Sequence, residues 1–181
     1  NTLSNSVVNV VYTNGGDSVG FVGGTGNKII NNNFTWSTCC SNNGFYSFGN
    51  VSNLNVSDNR FVTGGQDSSL SLTSTSNSYI TNKIFTTGSS SQINVGYNSD
   101  NITLVNNDLS GTFKVSNSAK NNIISTNDVL NIVTIQGGST TTTNSTYNTL
   151  TVTGGNITVS WYVNTNVTNL SGSPLNSASV T

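Results

Sequence analysis

Apolar residues return along this chain in a fixed frame, apolar-x-x-Asn-x-apolar, once every 20 to 27 residues. Ile29 to Phe34 and Val56 to Phe61 state it fully, with Asn32 and Asn59 in the polar slot. Leu104 to Leu109 and Ile124 to Val129 keep the amide, at Asn107 and Asn127. Ile80 to Phe85 has Lys83 there, and two looser copies, Val7 to Tyr12 and Tyr147 to Val152, have Val10 and Leu150. First positions at 7, 29, 56, 80, 104, 124 and 147 give steps of 22, 27, 24, 24, 20 and 23. A period of that size signals one supersecondary unit per repeat, stacked on its neighbours.

A second signal runs in phase with the first. Between the frames lie alternating pairs: Val19-x-Phe21, Tyr46-x-Phe48, Leu70-x-Leu72, Ile93-x-Val95, Phe113-x-Val115, Val133-x-Ile135 and Ile157-x-Val159. Alternation of this kind predicts strands with every other side chain inward, and so about three short strands per repeat. One copy cannot bury its apolar face, whereas a stack rising roughly 4.8 Å per rung builds a continuous core. The expected fold is therefore all-β, a parallel β-helix of about seven coils over residues 1–160, with 161–181 as a short C-terminal β segment. Ile29, Val56, Ile80, Leu104 and Ile124 are expected to form one inward column. Phe34, Phe61, Phe85, Leu109 and Val129 are expected to form a second.

The slot amide falls at the corner between two inward residues, where a left-handed backbone is expected and Asn tolerates it better than most residues. Stacked corner amides can bond to one another up the axis, which makes Asn32, Asn59, Asn107 and Asn127 a candidate structural ladder. A further Asn precedes most frames, at Asn53, Asn77, Asn101, Asn121 and Asn144, and suggests a second one.

The pattern resembles the right-handed parallel β-helix repeat of pectate-lyase-like enzymes, tailspikes and many archaeal and bacterial cell-surface proteins, over about residues 5 to 160. The resemblance implies the fold and says less about activity, because that scaffold carries enzymes and inert stalks alike. From Ser160 the texture changes. Trp161 to Thr168 alternates, a turn surrounds Pro174, the one proline, and Ala178 to Thr181 resumes. This segment is similar to the opening of the immunoglobulin-like modules that follow β-helices in prokaryotic surface proteins; alternatively, Trp161 and Tyr162 cover the open end of the last coil.

Composition narrows the function. Asn, Ser and Thr number 33, 29 and 27, and charged residues are only 6%. The phased Ile, Val, Leu and Phe argue for a folded solenoid rather than disorder. Lys28, Arg60, Lys83, Lys114 and Lys120 are scattered and balanced by six Asp, so no nucleic-acid footprint or anionic-membrane patch is expected. No apolar run reaches bilayer length, so direct membrane insertion is not expected either. The chain opens at Asn1 without Met and without a signal-peptide pattern, and reads as a processed or excised piece.

Sequons at Asn33, Asn50, Asn55, Asn101, Asn144, Asn156, Asn166 and Asn169 are glycosylation candidates, although composition alone would give roughly ten. Cys39 and Cys40 are adjacent. Neighbouring Cα atoms lie about 3.8 Å apart, shorter than the usual disulfide span, so the readings are free thiols, a vicinal disulfide or links to another chain. Their loop, Thr35 to Gly44, also holds Trp36 and is either a tolerated insertion or a binding loop.

Enzymes on such scaffolds need clustered carboxylates, with a basic residue or Ca²⁺. The Asp residues are Asp17, Asp58, Asp67, Asp100, Asp108 and Asp128. Asp108 and Asp128 share a frame position and form the one expected pair, while Asp58 and Arg60 suggest a surface ion pair. With no His or Glu, neither a Ser or Cys nucleophile with its base nor a metal set is apparent. The expectation is a non-catalytic extracellular module, structural or adhesive, of a surface layer, appendage or filament, with no cofactor or metal. Its partners would be copies of itself, neighbouring surface modules or glycans. The rival is a carbohydrate-binding or polysaccharide-degrading module using Trp36, Tyr46, Asp108 and Asp128, and ice binding by Thr ranks has only Thr151-x-Thr153 and Thr140 to Thr143 to draw on.

Overall fold

The computed structural model describes residues 1–10, 19–36, 45–63, 70–82, 84–86, 92–116, 119 and 123–161, and all their regular structure is β. The chain winds as a parallel β-solenoid with three faces in each turn. The first face stacks Thr2–Ser4, Lys28–Ile30, Asn55–Ser57, the end of Thr75–Thr81, Asp100–Val105, Ile123–Thr126, Ser139–Thr143 and Asn156–Ser160. The second stacks Val7–Val10, Asn33–Trp36, Arg60–Thr63, Ile84–Thr86 and the starts of Asp108–Val115, Val129–Ile135 and Thr146–Val152. Val19–Thr25, Phe45–Ser52, Leu70–Leu72, Ile93–Val95 and the ends of those last three strands make the third.

The core is the set of inward columns. Ile29, Val56, Ile80 and Leu104 lie in one register and are fully buried. Phe34 and Phe61 stack with ring centroids 5.0 Å apart and planes within 7°, and Phe85 continues their register toward Leu109. Leu70, Ile93, Phe113 and Val133 form the matching column of the third face.

The next coil departs from the expected register by one residue. Ser125, not Ile124, pairs with Leu104, and Leu130, not Val129, pairs with Leu109. Ile124 stands in the column of Tyr79 and Thr103, and Val129 is 53% exposed. A one-residue slip moves a strand's whole inward set outward. Here Ile123-Ile124 and Val129-Leu130 supply an apolar residue in either register, so sequence pattern could not choose. The stack chooses by burying Ile123 over Ile102 and Leu130 over Leu109.

The first and last frames shift too. In register, the column runs through 3, 29, 56, 80, 104, 125 and 142, in steps of 26, 27, 24, 24, 21 and 17. The first frame is thus Leu3 to Val8 and the last Thr142 to Tyr147, with Ser6 and Ser145 in the slot. Ile157 and Val159 belong to the first face, while Leu150 and Val152 continue the third. Phe45 and Ser47, rather than Tyr46 and Phe48, pair with Leu70 and Leu72.

The shrinking steps have one source. Passage from the second face to the third shortens from 11 residues, Phe34 to Phe45, to four, Leu109 to Phe113, and three, Leu130 to Val133. The long strand Asp108–Val115 makes the change through an irregularity between Leu109 and Thr112. The wide coils number about four, fewer than the seven expected, because those at the C-terminal end are narrow. Their last corner is tight enough that a Cβ on Gly155, at φ 74, would collide with the Gly138 carbonyl.

Candidate functional site

The corner between the first and second faces is the most regular polar feature of the molecule. Its left-handed residue is not the slot amide but the residue before it: Asn5, Asn31, Asp58, Asn82, Asn106, Asn127 and Asn144 all have φ between 51° and 58°. Asn and Asp reach this region at least cost among residues bearing a Cβ. Turning the backbone there sends the next side chain under the corner, into the interior. Asn32, Asn59 and Asn107 are consequently buried.

Their amides tie coil to coil. Asn32 Nδ2 donates to the Leu3 carbonyl at 3.0 Å and to Asn59 Oδ1 at 2.9 Å, and the Asn32 backbone N–H donates to the same oxygen at 2.9 Å. Asn59 Nδ2 donates to the Ile29 carbonyl at 2.9 Å, and Asn107 Nδ2 to that of Ile80 at 3.0 Å. Every such bond satisfies a buried backbone group that a closed turn would otherwise strand. The ladder expected from sequence thus holds Asn32, Asn59 and Asn107 but not Asn127, which is exposed; Asp128 takes the inner place. Lys83, at the same frame position in sequence, lies outside the described residues.

An outer ladder runs beside the inner one. Asn31 donates to Asn5 at 2.8 Å, Asn82 to Asp58 at 3.1 Å and Asn144 to Asn127 at 2.9 Å. A separate corner carries Asn53, Asn77 and Asn101, also left-handed, with Asn101 donating to Asn77 at 2.6 Å. Of the second ladder expected from sequence, Asn144 therefore sits on the other corner, and Asn121 lies outside the described residues.

Between the outer ladder and the second face lies an open polar groove of about 540 Å³ that includes Asn31, Asp58, Arg60 and Asn82 in its lining. Amides, a carboxylate and a guanidinium along successive coils can offer donors and acceptors to a polyhydroxylated chain. The surface ion pair expected for Asp58 and Arg60 does not describe this arrangement: Asp58 sits on the ladder, accepting from Asn82, and Arg60 stands on the second face in register with Asn33. The left-handed residue between the two directions changes where each points.

The carboxylate pair expected from Asp108 and Asp128 is not formed. Asp108 is exposed and in register with Val129, whereas Asp128 is buried and accepts from Asn107. The slipped register separates them onto opposite sides of the sheet. Asp128 Oδ1 accepts from the Asn107 N–H at 2.7 Å and Nδ2 at 2.9 Å, and Oδ2 accepts from Ser125 Oγ at 2.6 Å. Burial raises its carboxyl above the ordinary value, and the bonds from Ser125 and Asn107 oppose that rise without cancelling it. Sequence reasoning passed over this residue as a ladder member, and the available signal was Ser125, a polar residue at a column position.

Among the sequons, Asn50, Asn101, Asn144 and Asn156 are exposed, while Asn33 and Asn55 are half-buried in strands. Asn166 and Asn169, together with Asp17, Asp67, Cys39, Cys40 and the segment 162–181, lie outside the described residues. For Trp36 and Tyr46 only the backbone is described, in strands of the second and third faces. Among the described residues no group of three His, Cys, Asp or Glu gathers, and no helix is long and apolar enough to cross a membrane.

Fold and corner together define a parallel β-solenoid ordered by buried amide ladders. No protein-family model, curated protein or solved structure matches the chain.

Proposed function

We propose that this chain is a non-catalytic, extracellular structural or adhesive module of a cell-surface layer, appendage or filament, and that it works through its two ends. The observation that carries the reading is the state of the terminal strands. Thr2–Ser4, Val7–Val10 and Val19–Thr25 each pair on one side only, as do Thr146–Val152 and Asn156–Ser160. Unpaired edges offer main-chain donors and acceptors to an added strand. Apolar side chains accompany them, Val7 and Val22 at one end and Val152, Val159 and Trp161 at the other.

Five residues separate the inward positions across the first corner in every coil, from Leu3 to Val8 as from Thr142 to Tyr147. First and second faces therefore match from end to end of the molecule, while the third, at the variable connection, does not. Head-to-tail joining of copies or neighbouring modules would use those two faces, and the segment after Trp161 competes for the same edge. The resemblance to right-handed β-helices of prokaryotic surface proteins, with an immunoglobulin-like segment following, belongs to the same reading.

Lysine at Val7 and, separately, at Val159 tests it, since both side chains are exposed and the fold does not need them. Sedimentation and electron microscopy should show the parent as filaments, lattices or oligomers and both variants as monomers. Assembly and adhesion unchanged in both would remove the ends as the working surface.

The corner groove supports a second reading, glycan binding along Asn31, Asp58, Arg60 and Asn82. Arg60→Ala should then weaken retention on immobilised acidic polysaccharide without changing the melting temperature. Turnover of a uronate polymer with Ca²⁺, lost on replacing Asp108, would overturn the non-catalytic assignment.

A further inference from the structure

Every other described residue under the first corner is neutral: Ser6, Asn32, Asn59, Asn107 and Ser145. Asp128 alone brings an ionisable group there, 1% exposed, at the place where the wide coils give way to the narrow ones. Its surroundings are those of an amide. In the wide coils the side-chain nitrogen donates back to the carbonyl of the preceding coil's first inward residue, Leu3, Ile29 or Ile80. By register Leu104 is the next member of that series. Asp128 Oδ2 occupies the nitrogen's place, and an ionised carboxylate has no hydrogen to give.

The groups that face Asp128 supply no compensating charge. From the coil before come the Asn107 N–H and amide, and from its own turn comes the Ser125 hydroxyl. From the coil after comes Ser145, whose Oγ accepts from the Asp128 N–H at 3.1 Å and lies 3.2 Å from Ser125 Oγ. The titratable side chains on the flanking strands are Asp108, exposed opposite Val129, and Tyr147, opposite Leu130; neither bonds to Asp128. No cation on these elements faces it.

We propose that Asp128 serves as a protonated amide mimic, holding the narrow C-terminal coils to the wide ones where it keeps its proton and loosening that junction where it ionises. The acid hydroxyl on Oδ2 then donates to the Leu104 carbonyl while Oδ1 still accepts from Asn107, so the ladder continues without a buried charge. Ionisation removes that donor and leaves a negative charge beside a carbonyl oxygen, at a desolvated position. The sign follows from linkage: a carboxyl favoured in its neutral form by folding contributes stability that is full below the unfolded value near 3.8. That contribution is lost as pH rises through the folded value. An exposed end coil that responds to acidity would make end-to-end contact acid-dependent.

Titration of the intact chain by carboxyl carbon chemical shift should give Asp128 a midpoint above the ordinary carboxylate range; a midpoint within or below that range overturns the proposal. Asp128→Asn supplies the missing hydrogen at every pH. Compared with the parent by urea unfolding from pH 4 to pH 8, it should be more stable at the upper end and approach the parent toward the lower. Hydrogen exchange, corrected for its intrinsic pH dependence, should place the difference in amides of Ser139–Thr143 and Asn156–Ser160 and not in those of Lys28–Ile30. A parent and variant that differ by the same amount at all pH values, or exchange differences spread evenly over the solenoid, would overturn it.

Discussion

The wide coils and the narrow coils solve one packing problem with different materials. From Ile29 to Leu104 the first inward column is entirely aliphatic and fully buried, and beside it Phe34 and Phe61 are stacked face to face. From Ser125 onward the same column reads Ser125, Thr142 and Val159, and its neighbours Tyr147, Leu150 and Ile157 are only partly buried. Two buried hydroxyls there, Thr140 Oγ1 and Thr142 Oγ1, have no hydrogen-bond partner. A coil of 17 residues encloses less space than one of 26 or 27, so small side chains fit where Ile and Phe would not. The lesson is that the ladder's geometry is kept throughout, while the apolar burial that stabilises it declines toward one end. Local stability should fall in that direction.

The largest effect should come from the wide coils. Phe61→Ala removes a fully buried ring stacked on Phe34 and should cost about 3 to 5 kcal/mol in equilibrium unfolding. The equivalent truncation in a narrow coil, Tyr147→Ala, should cost less than half as much; equal losses would mean that the two regions are packed alike.

Next in size is the inner ladder. Asn107→Val strands the Ile80 carbonyl and removes one of two bonds to Asp128 Oδ1, and should cost about 2 kcal/mol. Left-handed strain plays no part, because the positive φ belongs to Asn106. Ser116→Ala, which loses a half-buried bond to Asn94, should cost about 1 kcal/mol or less. Matching melting temperatures for the two variants would deny the ladder its stabilising role.

The smallest change is expected to be a gain. Thr142→Val keeps the shape of the side chain, deletes an unpartnered buried hydroxyl and should stabilise by about 1 kcal/mol. Hydrogen exchange should place that gain in the narrow coils. A loss of stability would show that the hydroxyl is satisfied in solution.

Much of this was legible in the chain itself. The 20-to-27-residue return of apolar-x-x-Asn-x-apolar determined a stacked all-β fold, because no single repeat could bury its own apolar face. Asn32, Asn59 and Asn107 were recognisable as corner residues, since amides recur there among residues that must otherwise be apolar. The backbone reason was displaced by one residue: the chain turns at Asn31, Asp58 and Asn106, and the ladder amides are what the turn carries inside.

What only the tertiary structure decided was register and width. Ile123-Ile124, Asn127-Asp128 and Val129-Leu130 are doublets of like chemistry, so both alignments satisfy a two-residue alternation equally well. The choice rests on which residue meets Ile102, Asn107 and Leu109 one coil below, and that contact spans about 21 residues of chain. Burial of Asp128 follows from the choice rather than from any local signal. The narrowing follows likewise from where the chain turns between its second and third faces, because a shorter connection carries the same strands around a smaller core.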